Sequence, residues 1–342
     1  LLFRVNLDIQ ADPEAELRDM CLRFYGPAGE AMFSYYETMA RVVEARLPEG
    51  AVFGGGIRHF AKIFTPELIE AGRKALEQAS QTVPAGSIYR KRVDLASLNH
   101  RYLSTFLAGV WNCDGKNYDA AEAAFDEVEK LIPELVSAGL LSKNNVFGAE
   151  DTLSRFRGSR LLFLANAFPE RYGMVTRWKM LGPFDNSSRG AEMSKDPFEP
   201  LRDIDHAVRL PDGRVVQWKE IQSPGGFVQF RDHFDATTPN WSAYYLYVGV
   251  KVRSPEKRRV ELRMDSFNAF RVFLNGREVF HRPGWDNDLP DKRKVAVILE
   301  KGENVIVLKC THTSDTYAFP WGLFFRITDR EGNPIPGLSY TL

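Results

Sequence analysis

The stretch Pro283-Gly284-Trp285-Asp286-Asn287-Asp288-Leu289-Pro290-Asp291 places an aromatic ring beside several carboxylates and an amide. A sugar asks for this combination: an apolar face to stack on and polar groups to fix its hydroxyls. Trp285 would supply the face, and Asp286, Asn287 and Asp288 the polar groups. Trp241, in Thr237-Thr238-Pro239-Asn240-Trp241, and Trp321, in Phe319-Pro320-Trp321-Gly322, are two further loop aromatics that could extend a stacking surface. The alternative for either is to close the end of a sheet core. The alternative for the whole loop is a solvated turn around a half-buried tryptophan. Asp286, Asp288 and Asp291 are also hard oxygen donors of the kind a structural calcium takes, although the glycine and terminal glutamate of an EF-hand loop are missing.

Other chemistries find less support. The six histidines are scattered, with no His-x3-His or His-Glu-x2-His spacing for a metal. Gly54-Gly55-Gly56 before His59 lacks the lysine and the serine or threonine of a phosphate-binding loop. No Gly-x-Ser-x-Gly elbow is present, so no catalytic residue is assigned. The basic run Arg253–Arg259 could hold an acidic glycan or be a solvated hairpin tip. His100 and Arg101 share a stretch with Arg90, Lys91 and Arg92, which could line a neighbouring domain or form a polar helix face. Three cysteines, Cys21, Cys113 and Cys310, show no metal spacing and no disulfide framework; the alternatives are buried free thiols, the commoner outcome, and a single disulfide.

Composition narrows the class. The 342 residues suffice for two domains, and 44% apolar with 26% charged residues describes a globular chain. Lysine plus arginine equals aspartate plus glutamate at 45 each, so no net field would gather nucleic acid or an anionic membrane. No stretch approaches the roughly 20 apolar residues of a membrane span. The opening Leu1-Leu2-Phe3-Arg4-Val5-Asn6 reads as the interior of a longer chain.

The elements that must position these residues fall into two textures. Up to about residue 168, apolar residues recur at helical spacing. Asp12-Pro13 with Glu14 and Glu16, and Thr65-Pro66-Glu67, are helix starts. Helices are expected from these points and over about 28–46, 87–111, 119–138 and 151–166. From Met174 onward the period is two, in runs such as Ser242–Val252, Arg259–Met264, Phe270–Leu274, Lys294–Leu299 and Asn304–Lys309. Asn275-Gly276 between two such runs predicts a type I′ turn. Trp178 and Trp218 lie in strand-like contexts and are expected in the core. The predicted fold is α+β with two domains: a helical bundle over 1–172 and an antiparallel β-sandwich over 173–342.

Several motifs resemble a known family. Arg23-Phe24-Tyr25-Gly26-Pro27-Ala28 resembles the helix junction that follows the barrel in bacterial glycosidase-like proteins related to α-glucuronidase and family-20 hexosaminidases, and Thr65-Pro66-Glu67-Leu68 fits the same helical segment. Trp178 through Asn186, with Leu181-Gly182-Pro183-Phe184-Asp185-Asn186, resembles the opening strand of an appended galactose-binding-like jelly roll. Phe270-Arg271-Val272-Phe273-Leu274-Asn275-Gly276, Glu300 through Lys309 and Gly322 through Asp329 resemble its later strands. Ser266 stands where the family has a second aspartate after Asp265, a departure that bears on any ligand or ion role of that pair.

The resemblance implies a non-catalytic accessory region of a glycoside-hydrolase-like protein, with the catalytic acids in an upstream barrel and the sandwich binding carbohydrate or packing on that barrel. It further implies a periplasmic or extracellular location. Two rivals stand beside it. One is a purely structural or oligomerising module; the other is a glycoside hydrolase with paired carboxylates in a cleft at the domain junction.

Overall fold

A computed structural model of the chain describes residues 12–46, 61–143, 151–186, 201–223, 225–234, 243–266, 268–284, 290–312 and 321–342. Helix α1 (Pro13–Tyr25) begins where the Asp12 carboxylate accepts the Glu14 amide at 3.0 Å, with proline and acids in its first turn. It ends at Gly26, whose φ of 55° and close approach to the Tyr89 ring leave no room for a side chain. Helices α2 (Gly29–Arg46), α3 (Pro66–Gln81), α4 (Ile88–Asp114) and α5 (Tyr118–Ser137) follow. Thr65 and Ser87 cap α3 and α4. Cys21, Met32, Tyr35, Leu76 and Val93 form a core among α1–α4. Between α4 and α5, Gly109 lets the Phe125 ring approach where a Cβ would stand 2.5 Å from it.

Helix α6 (Thr152–Ala167) precedes a long β region. Strands β1 (Arg177–Asp185), β4 (Lys219–Gln222), β6 (Tyr244–Ser254), β8 (Phe270–Leu274), β9 (Arg277–Arg282), β11 (Gly302–His312) and β13 (Ser339–Thr341) form a seven-stranded antiparallel sheet. Its order is β4-β1-β6-β11-β8-β9, with β13 also on β6. A second antiparallel sheet runs β10-β7-β12-β5, from Arg293–Leu299, Arg258–Asp265, Gly322–Thr328 and Phe227–Gln229. Short strands β2 (Val208–Arg209) and β3 (Val215–Val216) pair with each other. The chain is therefore α+β.

Period-two alternation explains why the two sheets share one core. On β6, Leu246, Val248, Val250 and Val252 face inward, where they meet Leu262 and Met264 of β7 and Leu323, Phe325 and Ile327 of β12. Tyr245 and Tyr247 point the other way, into a smaller cluster with Ile204 and Phe273. Trp178 is fully buried in the main core, and Trp218 is partly buried in the smaller cluster. Asn275 and Gly276 both have positive φ, 52° and 79°, as the turn between β8 and β9 requires. The basic run is not a hairpin tip but the link by which the chain passes from β6 of one sheet to β7 of the other, with Lys257 paired to Glu300 and Arg258 to Glu256. All three cysteines are buried and free.

The chain divides into two compact units between Leu153 and Ser154. The greater part of α6 thus belongs with the sheets. Ala165 packs with Met174 and Phe324, and the Asn166 side chain accepts the Phe227 amide at 2.8 Å. No helix among the described residues is long and apolar enough to cross a membrane.

Candidate functional site

The strand registers gather many chain ends at one end of the two-sheet unit. Asp185 lies opposite Tyr244, and Tyr244 opposite His312. Phe270 pairs with Arg282, Arg293 with Met264, Gly322 with Gln229, and Phe324 with Asp265. The chain departs from the described residues here after Asn186, Phe234, Gly284 and His312. In sequence, Trp285 directly follows Gly284, and Trp241 precedes Ala243 by two positions. Trp285, Asp286, Asn287, Asp288 and Trp241 themselves lie outside the described residues, as do Gly54–Gly56 and His59.

Trp321 is described, and it corrects one expectation. Its side chain is completely buried and offers no face to a ligand. It stacks on Tyr244 and meets Phe230, Phe234 and His312 edge-on, with ring centroids 5.3–6.4 Å apart. Trp321 therefore closes the end of the core, because aromatic groups from three separate segments converge on it.

Asp291 is likewise committed. Arg326 Nε donates to Oδ1 at 2.8 Å and its Nη2 to Oδ2, while Arg263 Nη1 donates to Oδ2 at 3.2 Å. Arg263 also pairs with Glu261 at 2.9 Å, and Arg326 donates to the carbonyl of Gly332 at 3.1 Å. A carboxylate held this way by two guanidinium groups already has its oxygens engaged, and Asp286 and Asp288 lie outside the described residues. Among the described residues no cluster of histidine, cysteine and acidic side chains has the arrangement of a metal site.

A polar layer lies under this end. Arg231 Nη2 stands 2.8 Å from His312 Nε2. Arginine only donates, so this ring nitrogen is the acceptor. Arg282, itself buried, donates to the Ser266 carbonyl, lies 3.7 Å from Asp265 and sits over the Phe270 ring. Thr311 Oγ1 donates to the Ala269 carbonyl at 2.9 Å. Asn186 is almost fully buried, and both polar atoms of its side-chain amide lack a partner among the described residues. So does the Ser266 hydroxyl. Arg231, His312 and Arg282 were not marked by any local pattern; His312 and Arg231 are 81 positions apart. Asn186 closes a recognisable motif, but nothing in the motif says that its amide is buried.

No family model matches the sequence, and no curated protein matches it either. Among solved structures, the chain is similar to a β-glucuronidase from Ruminococcus gnavus at 14% identity, over 44% of this chain and 28% of that one, with a TM-score of 0.29. It is similar to a β-glucosidase from Kluyveromyces marxianus at 10% identity, over 72% and 36%, with a TM-score of 0.29. A β-glycosidase from Bacteroides vulgatus matches at 17% identity, over 46% and 20%, with a TM-score of 0.24. These structural neighbours are glycoside hydrolases, and the chain spans between 20% and 36% of the length of the three.

Proposed function

We propose that the chain is a non-catalytic accessory region of a glycoside-hydrolase-like protein, a helical bundle followed by a galactose-binding-like jelly roll that holds carbohydrate at one end. Trp285 and Trp241 supply stacking faces, and Asp286, Asn287 and Asp288 fix hydroxyls. The catalytic acids belong to a barrel elsewhere in the same protein, which acts in the periplasm or outside the cell.

The observation that carries this reading is the gathering of strand ends. Gly284 and Ala243, the neighbours of the Trp285 and Trp241 segments, emerge at one end of the unit, over a base braced by Arg231, His312 and Arg282. Sites are held best on rigid supports. A glycan-array screen of the chain with Trp285→Ala and Trp241→Ala tests it. The expected result is binding that either substitution weakens at least about tenfold, the scale of one lost aromatic anchor. A chain that binds no glycan, or binds equally well in both variants, would overturn it.

A second reading, a structural module without ligand, draws on Trp321 and Asp291, two loop residues that serve the core and a buried ion network. Unchanged glycan binding in the two tryptophan variants would favour it.

A further inference from the structure

The far end of the two-sheet unit holds a groove that the carbohydrate reading does not use. There β13 lies on β6 at Lys251–Arg253, and β1 begins at Arg177, away from the end marked by Asp185 and Tyr244. The entering segment, residues 170–177, and the closing segment, 334–342, line a groove of about 380 Å³. That is near the lower bound of small-molecule pockets, about 300–1,000 Å³. Gly173, with φ of 66°, lets the entering segment approach the Ile327 carbonyl, where a Cβ would stand at 2.7 Å.

Two kinds of group line the groove. Ile335, Leu338 and Tyr340 provide an apolar and aromatic surface and also pack against the main core. Glu170, Thr176 and Arg177 provide an acceptor, a hydroxyl and a donor. Arg177 is only loosely engaged, 3.6 Å from Glu220 with both side chains more than half exposed, so its guanidinium retains donors for a ligand. Burial pushes the Tyr340 phenol up to about 12, which keeps its hydroxyl protonated.

This lining selects a ligand class. A wholly apolar molecule would cover the carboxylate and guanidinium without replacing their water, at a cost of a few kcal/mol. An anion would meet Glu170 as it gained Arg177, and a cation the reverse. An uncharged ring with one apolar face and a rim of hydroxyls satisfies both kinds of group. We propose that this groove is a second ligand site, taking a single neutral sugar residue, at the end of the unit opposite Ala243 and Gly284. It stands independently of the site proposed above.

Ligand-observed saturation-transfer NMR on the whole chain tests this, with methyl β-D-glucopyranoside as neutral probe and glucuronate as charged probe. Glu170→Gln removes the charged acceptor, and Tyr340→Phe removes one hydroxyl while keeping the ring. Unchanged melting temperatures establish that both variants are folded. The expected result is saturation of the neutral probe that Glu170→Gln weakens about tenfold and Tyr340→Phe less, as hydrogen-bond losses predict. Trp285→Ala should leave that component in place. Absence of neutral-probe binding, preference for glucuronate, indifference to both groove variants, or complete loss in Trp285→Ala would each overturn the second site. The last outcome would leave the first site standing; survival of groove binding with no effect of Trp285→Ala or Trp241→Ala on any glycan would do the reverse.

Discussion

Both units carry ion pairs at the surface, but the two-sheet unit also buries some of its charge. On the helices, pairs such as Arg73–Glu70 and Arg23–Asp19 lie one turn apart with both partners open to water; the first pair is 49% and 46% exposed. In the sheets, Arg326 and Asp291 are 5% and 12% exposed and come from strands and turns far apart in sequence. Exposed pairs contribute about 0–1 kcal/mol because water and salt already screen them. A buried network gives little net gain over an apolar replacement, yet is costly to break because the remaining charge is stranded. The helical unit thus rests on its apolar stripes, and the sheet unit depends in addition on completing a polar network at its edges.

The largest effect should come from that network. Asp291→Ala leaves Arg263 and Arg326 buried without their shared carboxylate, and urea unfolding should show a loss of about 3–5 kcal/mol. In the helical unit the comparable weak point is packing. Gly109→Ala drives a methyl into the Phe125 ring and should cost about 1–3 kcal/mol in the same assay.

Acid should separate the units further. Burial holds His100 below its ordinary value of 6.5, with its ring nitrogens engaged by Tyr35 and the Ile69 carbonyl. Its folded form binds the proton less readily than the unfolded chain does, so the stability it contributes is complete above pH 6.5 and is lost as pH falls below that value. Asp205 is held down to about 2, first by Lys179 and then by Lys251, so its contribution is complete above 3.8 and fades only toward pH 2. Burial also lowers His233 of the sheet unit, but that ring is only half-buried. Circular dichroism melts from pH 7 to about pH 4 should therefore show the helical unit weakening first, and His100→Gln should flatten that slope. A sheet unit that weakened first would break the contrast. The smallest effect belongs to Arg73→Ala, whose melting temperature should shift least of the series and less still in high salt.

What could be read from the sequence was local. Asp12-Pro13 and Thr65-Pro66 mark helix starts because a cap needs only the next few amides, and Asn275-Gly276 marks its turn because the required φ values belong to those two residues. Trp321 sits in a turn-like string, and only the convergence of Phe230, Phe234, Tyr244 and His312 buries it. Asp291 resembled a free loop carboxylate because its partner Arg326 is 35 positions away. Periodicity located α6, but not the Asn166–Phe227 contact that ties it to the sheets. Strands as short as β2, β3 and β5 carry too few residues for alternation to register.

The most direct test of the carbohydrate reading is affinity electrophoresis of the whole chain in native gels containing glycan, with reducing-sugar release followed in parallel. The account predicts retarded migration of the unmodified chain, migration restored by Trp285→Ala, and no sugar released. Equal migration with and without every glycan tried, or cleavage of a glycoside by this chain alone, would contradict it.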